Sequence, residues 1–256
     1  MATSEKTISV LDDTLKLSLK DEGQGRPILL LHAGPGPQSM QGLAQSLGKS
    51  ARSLLLTHPG FAGTERPAWC RRVPDLALAY LDLLERLKLQ DVLLVGNSLG
   101  GWVAAEMALH ASRRVQGIVL MNCPGIDATA EGLGIFNIGA VPPAERAAYS
   151  FHDPKRFALP PAEPEAAAQL GENIKTNILY GGEPNGVDPS LRDRLGAMPY
   201  PSLVLWGASD KVIPSAYGRL YASLMPASKF ELIEEAGHFP QIEQLERVQK
   251  LILEFP

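Results

Sequence analysis

Short apolar runs alternate with helical patterns along most of the chain. Each of the clearest runs ends at or just before a glycine or a polar residue, and the runs occupy residues 28–31, 53–56, 92–95, 118–121 and 203–206. Continuous apolar runs of this length are typical of strands that are buried on both faces. Apolar residues at helical spacing follow in residues 74–87 and 102–110. Because strands that alternate with helices form βαβ units, this pattern predicts a parallel sheet.

The two ends of the chain differ from this alternation. Near the N-terminus, apolar and polar residues alternate from Ile8 to Leu19 around the turn signal Asp12-Asp13. This pattern predicts an antiparallel hairpin at the edge of the sheet. Near the C-terminus, residues 241–255 carry apolar side chains at helical spacing. We expect a packed terminal helix there.

Residues 126–199 interrupt the alternation. They hold nine of the 21 prolines and eight of the 24 glycines and contain no strong strand pattern. Two short helices are expected, near residues 143–151 and 164–170, and residues 180–186 are rich in turn formers. Long irregular segments of compact domains are often lids or binding loops. We therefore predict a core of residues 1–125 and 200–256 with an inserted cap at residues 126–199.

Composition and charge exclude several classes of protein. The chain has 256 residues, of which 45% are hydrophobic and 20% are charged, as in an ordinary globular protein. Its formal charge of -4 leaves no basic surplus for a nucleic-acid backbone. The two cysteines are too few for a disulfide framework or a cysteine metal site, and no apolar run approaches the length of a membrane span. We expect a cytoplasmic protein with no nucleic-acid or membrane partner.

The residues with the clearest chemistry are Gly96-Asn97-Ser98-Leu99-Gly100. This G-x-S-x-G sequence follows an apolar run and precedes a helical pattern, which is the strand-turn-helix setting of a nucleophile elbow. The flanking glycines leave room for a tight turn in which the serine adopts a strained backbone conformation. Ser98 is therefore the predicted nucleophile.

A serine hydroxyl needs a base to accept its proton, and the base needs a carboxylate to orient it. His238 lies on a glycine-flanked loop between the strand pattern at residues 230–233 and the final helix, where an open α/β sheet presents catalytic groups. Asp210 follows a buried run and gives the chain order Ser, Asp, His that is expected of an elbow-type hydrolase. Asp127 also follows a strand pattern and is the rival acid.

The other histidines lie in less suitable settings. His32 and His58 stand at strand ends, where we expect them to fix loops through hydrogen bonds. His110 and His152 are expected to be surface or partly buried residues. The sequence therefore favours His238 as the base.

Negative charge that develops on a substrate carbonyl requires hydrogen-bond donors that are already aimed at it. The amide of Leu99 is the first candidate, because the elbow places it at the N-terminus of the following helix. The second donor should come from the loop at residues 32–36, directly after the first parallel strand. Gly34 is the predicted donor, since Pro35 has no amide hydrogen.

These segments together resemble the serine-nucleophile branch of the α/β-hydrolase superfamily, which contains esterases, lipases and carbon-carbon bond hydrolases. HAGPG at 32–36 resembles its oxyanion loop, HPGFAGT at 58–64 the loop after the next strand, and GNSLGG at 96–101 the elbow. LWGASD at 205–210 and AGHFPQIEQ at 236–244 resemble the acid and histidine segments. The resemblance covers nearly the whole chain. It implies a mostly parallel eight-stranded sheet flanked by helices, with residues 126–199 as the cap.

Three positions depart from the family pattern. Ala33 stands where glycine is usual, His58 where aspartate is frequent, and Ala62 where the loop has a glycine. None of the three belongs to the predicted triad. The elbow serine also argues against the haloalkane dehalogenase and epoxide hydrolase branches, which place aspartate there.

The resemblance implies a hydrolase that acts on a small or medium carboxylic ester through an acyl-enzyme on Ser98, with no metal or organic cofactor. The elbow also resembles that of hydrolases that cleave a carbon-carbon bond of a vinylogous diketone. Arg156 is the candidate to bind the second carboxylate of such a substrate. A receptor that retains the triad is a third interpretation. The candidates for the substrate pocket are Asn97, Trp102, Phe136 and Phe239.

Overall fold

The structure, a computed structural model, describes residues 4–158, 163–182 and 186–256. The strands in these residues are β1 Ser4–Val10, β2 Leu15–Glu22, β3 Pro27–Leu31, β4 Arg52–Thr57, β5 Val92–Asn97, β6 Val115–Met121, β7 Ser202–Gly207 and β8 Ser228–Ile233. They form one sheet in the order β1-β2-β4-β3-β5-β6-β7-β8. Strand β2 is antiparallel to its neighbours β1 and β4, and the other neighbouring strands are parallel. The predicted sheet and its N-terminal edge hairpin are confirmed.

Helices cover both faces of this sheet. Their bounds are α1 Gln38–Leu47, α2 Val73–Arg86, α3 Leu99–Leu109, α4 Ala147–Ser150, α5 Pro154–Phe157, α6 Pro164–Gly181, α7 Leu191–Arg194, α8 Ser215–Ser223, α9 Pro240–Glu243 and α10 Leu245–Glu254. Successive residues of a strand point to opposite faces. In β3, Ile28 and Leu30 belong to the core beneath α1 and α10, whereas Leu29 and Leu31 belong to the core beneath α2, α3 and α8. The chain therefore has the predicted α/β layers.

Three helices differ from the sequence-based expectation. The helix expected at residues 164–170 continues to Gly181, because hydrogen bonds from its inner face to loops of the core offset the low helix propensity of Gly171. The terminal helix is interrupted at Gln244, which lies between α9 and α10. The helix expected at residues 143–151 is limited to the four residues of α4, with turns before it.

Residues 126–199, the predicted cap, contact the rest of the protein near both ends of the segment. Ile126 at the start and Leu195 near the end lie in the same hydrophobic core as α2 and α3. Arg194 also forms an ion pair with Glu106 of α3, whose side chain is 2% exposed. Between these ends, α4, α5 and α6 pass over the loops at the carboxyl edge of the sheet. The turn-rich stretch at 180–186 lies partly outside the described residues.

No helix in the described ranges combines the length and the apolar character that crossing a bilayer requires. The longest of the described helices, α6, spans 18 residues and carries polar groups such as Asn173 on its inner face.

Backbone packs directly against backbone at the turn between β5 and α3. A Cβ atom on Gly100 would overlap the carbonyl oxygen of Leu31 at the end of β3, and one on Gly96 would overlap the carbonyl of Gly100. Real side chains do not tolerate such overlap with backbone atoms. Glycine at these two positions therefore lets the N-terminus of α3 rest directly on β3.

Substitution Gly100→Ala is expected to lower the free energy of unfolding by about 3 kcal/mol, because the backbone of β3 cannot move aside without disturbing the central sheet. Gly42→Ala is the matched control: Gly42 is an exposed position inside α1 with no atom near its missing Cβ. That change should raise the free energy of unfolding by about 0.5–1 kcal/mol. Urea denaturation measures both, and a Gly100→Ala protein as stable as the wild type contradicts the packing described here.

Candidate active site

Ser98 occupies the sharp turn between β5 and α3. Its backbone has φ 52° and ψ -121°, a strained combination that a non-glycine residue adopts rarely. The surrounding structure holds this conformation: the Ser98 amide donates to Met121 O at 2.8 Å, and its carbonyl accepts from the amide of Gly101 at 2.9 Å. The hydroxyl of Ser98 therefore stands at the N-terminus of α3 and at the carboxyl edge of the sheet, as the elbow sequence predicts.

His238 and Asp210 are joined by a hydrogen bond of 2.9 Å between Nδ1 and Oδ2. His238 follows β8 and is 6% exposed, and Asp210 follows β7 and is 7% exposed. Because the carboxylate accepts the hydrogen on Nδ1, the neutral ring has its free lone pair on Nε2. This tautomer is the one that accepts a proton from a serine in a triad.

The carboxylate of Asp210 is fully engaged by donors. Oδ1 accepts from the amides of Val212 at 2.8 Å and Ile213 at 3.0 Å, and Oδ2 also accepts from Nδ2 of Asn122 at 2.6 Å. These bonds fix the rotation of the carboxylate plane and hold Oδ2 toward His238. Sequence reasoning missed Asn122, and the signal that could have found it is its place directly after the strand pattern of β6. The structure adds a positive φ of 47°, which is uncommon for a residue other than glycine.

Among the described residues, neither Ser98 Oγ nor His238 Nε2 has a hydrogen-bond partner within 3.5 Å. In free enzymes such a catalytic hydrogen bond is often long and tightens only when substrate binds. The structure thus joins the predicted base and acid and places the predicted nucleophile at the end of β5, which is separated from β7 by β6 in the same sheet.

Asn97 orients the loop of residues 234–239, which carries His238 and is called the histidine loop below. Its Nδ2 donates to the carbonyl oxygen of His238 at 3.0 Å and to Met121 O at 3.1 Å, and its Oδ1 accepts from Gln241 at 3.0 Å. Asn97 is fully buried. Both amide hydrogens are therefore in use within the protein, so the predicted pocket residue Asn97 orients this loop and has no amide hydrogen left for a substrate.

Glu243 connects the histidine loop to the inserted segment. One carboxylate oxygen accepts from the amide of Gly237 at 2.6 Å, and the other accepts from the amides of His152 at 2.9 Å and Asp153 at 3.0 Å. The amide of His238 in turn donates to Ser150 O at 2.7 Å. This buried carboxylate was missed by sequence reasoning, because nothing in its local pattern distinguishes it from a helix-surface glutamate.

The loop that contains Gly34 lies against the first turn of α3. A Cβ on Gly100 would come within 2.8 Å of the carbonyl oxygen of His32, so the amides of Leu99 and Gly34 belong to adjoining segments. Among the described residues, neither amide donates to an acceptor. Two free amides beside a nucleophile are the arrangement that an oxyanion hole requires.

His32 and His58 form a buried pair under this loop. Nε2 of His32 accepts from the amide of His58 at 3.0 Å, so the hydrogen of His32 is on Nδ1, which donates to Ala33 O at 2.8 Å. His58 donates from Nε2 to His32 O at 3.0 Å and accepts from the hydroxyl of Tyr80 at 2.7 Å. Both histidines therefore fix the loop, as the sequence indicates.

The bond to Ala33 O also sets the direction of the Gly34 amide. The C=O of Ala33 and the N–H of Gly34 belong to one planar trans peptide unit and point in opposite directions. Since the ring of His32 and the amide of Gly36 both donate to that carbonyl, together they determine where the N–H of Gly34 points. Burial lowers the pKa of His58 to about 4 and that of His32 well below its usual value, so the pair stays neutral at ordinary pH.

Other sequence candidates lie elsewhere. Asp127 accepts from the amide of Thr129 at 3.0 Å and from its hydroxyl at 2.7 Å, and these bonds lower the pKa of the Asp127 carboxyl. Among the described residues it makes no hydrogen bond to His238. The Arg156 side chain is exposed, with its guanidinium carbon 4.8 Å from the ring centroid of Phe157.

The aromatic candidates for the pocket occupy three environments. Trp102 is buried against Gly125 at the start of the inserted segment. Phe239 is buried beside His238, with its ring centroid 5.3 Å from that of Phe151. Phe136 is 41% exposed and stacks on Tyr149 at 4.8 Å. Of the three aromatic candidates, Phe239 is therefore the one that belongs to the histidine loop, next to His238.

Comparison with known proteins gives one family match. A family model described as "Alpha/beta hydrolase family" matches residues 28–250. The matched range begins in β3 and ends in α10. It therefore includes all the strands except the N-terminal hairpin and all the loops that carry the site.

Similar curated proteins include two that are named as hydrolases. A 2-hydroxymuconate semialdehyde hydrolase of Pseudomonas putida is 28% identical over 255 residues, which cover 94% of this chain and 90% of the relative. A 2-hydroxy-6-oxo-6-phenylhexa-2,4-dienoate hydrolase of Burkholderia cepacia is 25% identical over 276 residues, which cover 99% of this chain and 96% of the relative.

Similar solved structures include a meta-cleavage product hydrolase and an esterase. A meta-cleavage product hydrolase from Pseudomonas fluorescens has a TM-score of 0.79 and 21% identity, with 97% of this chain and 96% of that chain covered. An esterase from Exiguobacterium antarcticum has a TM-score of 0.79 and 20% identity, with 98% of each chain covered. At these identities the likeness concerns the fold.

The neutral histidine pair predicts how stability depends on pH. An unfolded histidine has a pKa of about 6.5, whereas folded His58 has a pKa of about 4. Between these values the unfolded chain binds protons that the folded chain does not, so the free energy of unfolding falls as the pH is lowered through the window. Each of the two histidines contributes a slope of up to about 1.4 kcal/mol per pH unit.

The substitution His58→Asn should reduce the slope of the unfolding free energy against pH by the contribution of one histidine. Urea denaturation at several pH values between about 4 and 6.5 measures this slope. His110→Asn, at the exposed end of α3, is the control and should leave the slope unchanged. A His58→Asn protein with the wild-type slope contradicts the neutral, buried state of His58.

Proposed function

The chain belongs to the alpha/beta hydrolase family, and from this premise we propose that it is a serine hydrolase that cleaves a small or medium carboxylic ester. The observation that carries the proposal is the hydrogen bond of 2.9 Å between His238 and Asp210, at the same edge of the sheet as the strained Ser98. The family and the similar proteins support the general class of serine hydrolase.

In the proposed first step, Ser98 Oγ attacks the ester carbonyl and its proton passes to Nε2 of His238. The carbonyl oxygen becomes an oxyanion, which the amides of Leu99 and Gly34 hold. The bond from the carbonyl carbon to the alkoxy oxygen then breaks, and the departing alcohol takes the proton from His238. An acyl group remains on Ser98. Asp210 keeps the imidazole in the required tautomer and stabilises the imidazolium that forms.

In the second step, water attacks the acyl carbonyl and gives a proton to the same Nε2. The bond between the acyl carbon and Ser98 Oγ breaks, and Oγ recovers its proton from His238. The products are a carboxylic acid and the regenerated serine. No residue is consumed, so the same groups serve both steps.

We assign residues 126–199 the role of the cap. The contacts that support this role are the bond from His238 to Ser150 and the bonds from α6 to Pro35 and Gly60. These contacts support a cap that covers the histidine loop and the proposed oxyanion loop at the same time. A cap in this position limits the size of the substrate and keeps water from the acyl-enzyme until the alcohol leaves.

The charges of the described part of the cap favour an uncharged acyl group. Arg192 is paired with Glu131, Arg194 with Glu106, and Arg146 donates to the carbonyl oxygens of Val141 and Gly139. These half-buried guanidinium groups are already engaged by the protein. Arg156 faces solvent, so a second substrate carboxylate finds no buried, unpaired arginine among the described residues of the cap.

The second candidate function is hydrolysis of a carbon-carbon bond in a vinylogous diketone. The observation that favours it is the identity of 25–28% with relatives named 2-hydroxymuconate semialdehyde hydrolase and 2-hydroxy-6-oxo-6-phenylhexa-2,4-dienoate hydrolase. The same serine, histidine and aspartate would act in that reaction. The two functions therefore share a site and differ in the substrate.

Turnover of p-nitrophenyl butyrate and of 2-hydroxymuconate semialdehyde distinguishes the two functions. We expect multiple turnovers of the ester and a much lower kcat/KM for the semialdehyde. The Ser98→Ala change should lower kcat for the ester by a factor on the order of 10⁶, because it removes the nucleophile. A preference for the semialdehyde establishes the second candidate, and a single slow event with either compound contradicts an enzymatic function and fits a receptor.

The choice of Asp210 over Asp127 has its own matched pair of variants. Asp210→Asn keeps the shape of the side chain, but the amides of Val212 and Ile213 hold its oxygen and its NH2 group faces Nδ1 of His238. This donor favours the wrong tautomer of the imidazole and should lower kcat by a factor on the order of 10⁴. Asp127→Asn should leave kcat unchanged. Steady-state kinetics with p-nitrophenyl butyrate measures both, and the reverse ranking of the two variants contradicts the assignment.

A further inference from the structure

Helix α6 of the cap rests on the two loops that follow β3 and β4. Nδ2 of Asn173 donates to Pro35 O at 2.6 Å, Oδ1 of Asn173 accepts from the amide of Ala62 at 2.9 Å, and Thr176 donates to Gly60 O at 3.2 Å. Tyr180 donates to Pro59 O at 3.1 Å. These three residues are spaced by three and four positions, so they lie on one face of the helix. The face is held to the core by hydrogen bonds rather than by apolar contact alone.

Asn177 lies on the same face of α6 but differs from these residues in its hydrogen bonding. It stands one position after Thr176 and three before Tyr180, and its side chain is half-buried. Unlike those two neighbours and Asn173, Asn177 makes no side-chain hydrogen bond to any of the described residues. The amide hydrogens and the oxygen of this half-buried carboxamide therefore have no partner among the described residues.

The carboxamide of Asn177 is located directly over Gly34. A Cβ on Gly34 would lie 2.7 Å from Cγ, 2.9 Å from Oδ1 and 3.1 Å from Nδ2 of Asn177. The neighbouring loop glycines face the residues that anchor the helix: a Cβ on Gly36 would lie 2.6 Å from Nδ2 of Asn173, and one on Gly60 would lie 2.9 Å from Thr176. Asn173 and Thr176, which anchor the helix, lie over Gly36 and Gly60. Asn177 has the equivalent position over Gly34, the proposed oxyanion donor.

We propose that Asn177 is a catalytic residue of the cap, whose carboxamide donates a hydrogen bond to the substrate carbonyl oxygen as it becomes the oxyanion. This inference rests on the proposed function, because it requires the amides of Gly34 and Leu99 to hold that oxygen. Asparagine side chains are among the donors that stabilise oxyanions in acyl transfer. The carboxamide reaches the site only because Asn173, Thr176 and Tyr180 fix the helix on the loops.

The chemistry of the side chain agrees with this role. A neutral donor stabilises developing negative charge without attracting an anionic product, whereas a cation at the same place would bind the carboxylate that is formed. The donor comes from the cap, so the oxyanion hole has all three donors only while α6 rests on the loops. Closure of the cap and stabilisation of the transition state are thereby linked.

The test compares Asn177→Leu and Asn177→Asp with Ile178→Ala. Leucine and aspartate are close in size to asparagine and remove the donor, and aspartate adds a negative charge. Ile178 is the next residue, is 49% exposed and serves as the matched control. Three quantities are measured for each variant: kcat and KM with p-nitrophenyl butyrate, the rate at which a fluorophosphonate labels Ser98, and the melting temperature.

The proposal predicts that both Asn177 variants lose kcat and labelling rate by a factor on the order of 100, with little change in KM. The loss should be larger for Asn177→Asp, because its carboxylate repels the oxyanion. The melting temperature should stay at the wild-type value, since the side chain holds no other residue. Ile178→Ala should match the wild type in all three measurements.

Wild-type kcat and labelling rates in both Asn177 variants overturn the proposal. So does a rise in KM with kcat and labelling unchanged, which indicates a contact that is equal in the ground and transition states. A loss of rate that follows a fall in melting temperature assigns Asn177 a structural role instead. If the fluorophosphonate fails to label wild-type Ser98, the proposed function itself is refuted, and the role of Asn177 falls with it.

Discussion

The close approach of α3 to the end of β3 is the constraint on which the site depends. Gly96 and Gly100 allow backbone to meet backbone at this point, and the turn between them holds Ser98 at φ 52°. Because the loop after β3 is in contact with the same turn, the amides of Leu99 and Gly34 come to lie in adjoining segments. A larger side chain at either glycine would separate the nucleophile from one of its proposed oxyanion donors, so one packing requirement places three functional groups.

Around this turn, polar side chains fix the loops that carry the remaining groups. Asn97 and Glu243 hold the histidine loop, Asn122 holds Asp210, and the pair His32 and His58 holds the peptide before Gly34. Each is buried and hydrogen-bonded, so its orientation is determined by the surrounding backbone. Preorganisation of this kind means that the groups need little rearrangement when charge develops on the substrate. Ser150 and α6 of the proposed cap add hydrogen bonds to the same network.

The sequence was sufficient to predict where the three candidate residues Ser98, Asp210 and His238 lie in the fold. Ser98, Asp210 and His238 each follow an apolar run, and the carboxyl ends of parallel strands meet at one edge of the sheet. The residues that orient them could not be predicted, because their partners are distant in the chain: Asn97 bonds to a residue 141 positions away, and Glu243 to one 91 positions away. The length of α6 was underestimated for the same reason, since its stability depends on contacts with loops more than a hundred positions earlier.

The measurement that tests the central claim most directly is the site and stoichiometry of covalent labelling by a fluorophosphonate, determined by intact mass and peptide mapping. The account predicts one adduct per chain, on the peptide that contains Ser98, and loss of the adduct when His238 is replaced by alanine. Labelling of a different residue, or an unlabelled chain under conditions in which the protein hydrolyses an ester, would contradict the assignment of Ser98 as the nucleophile.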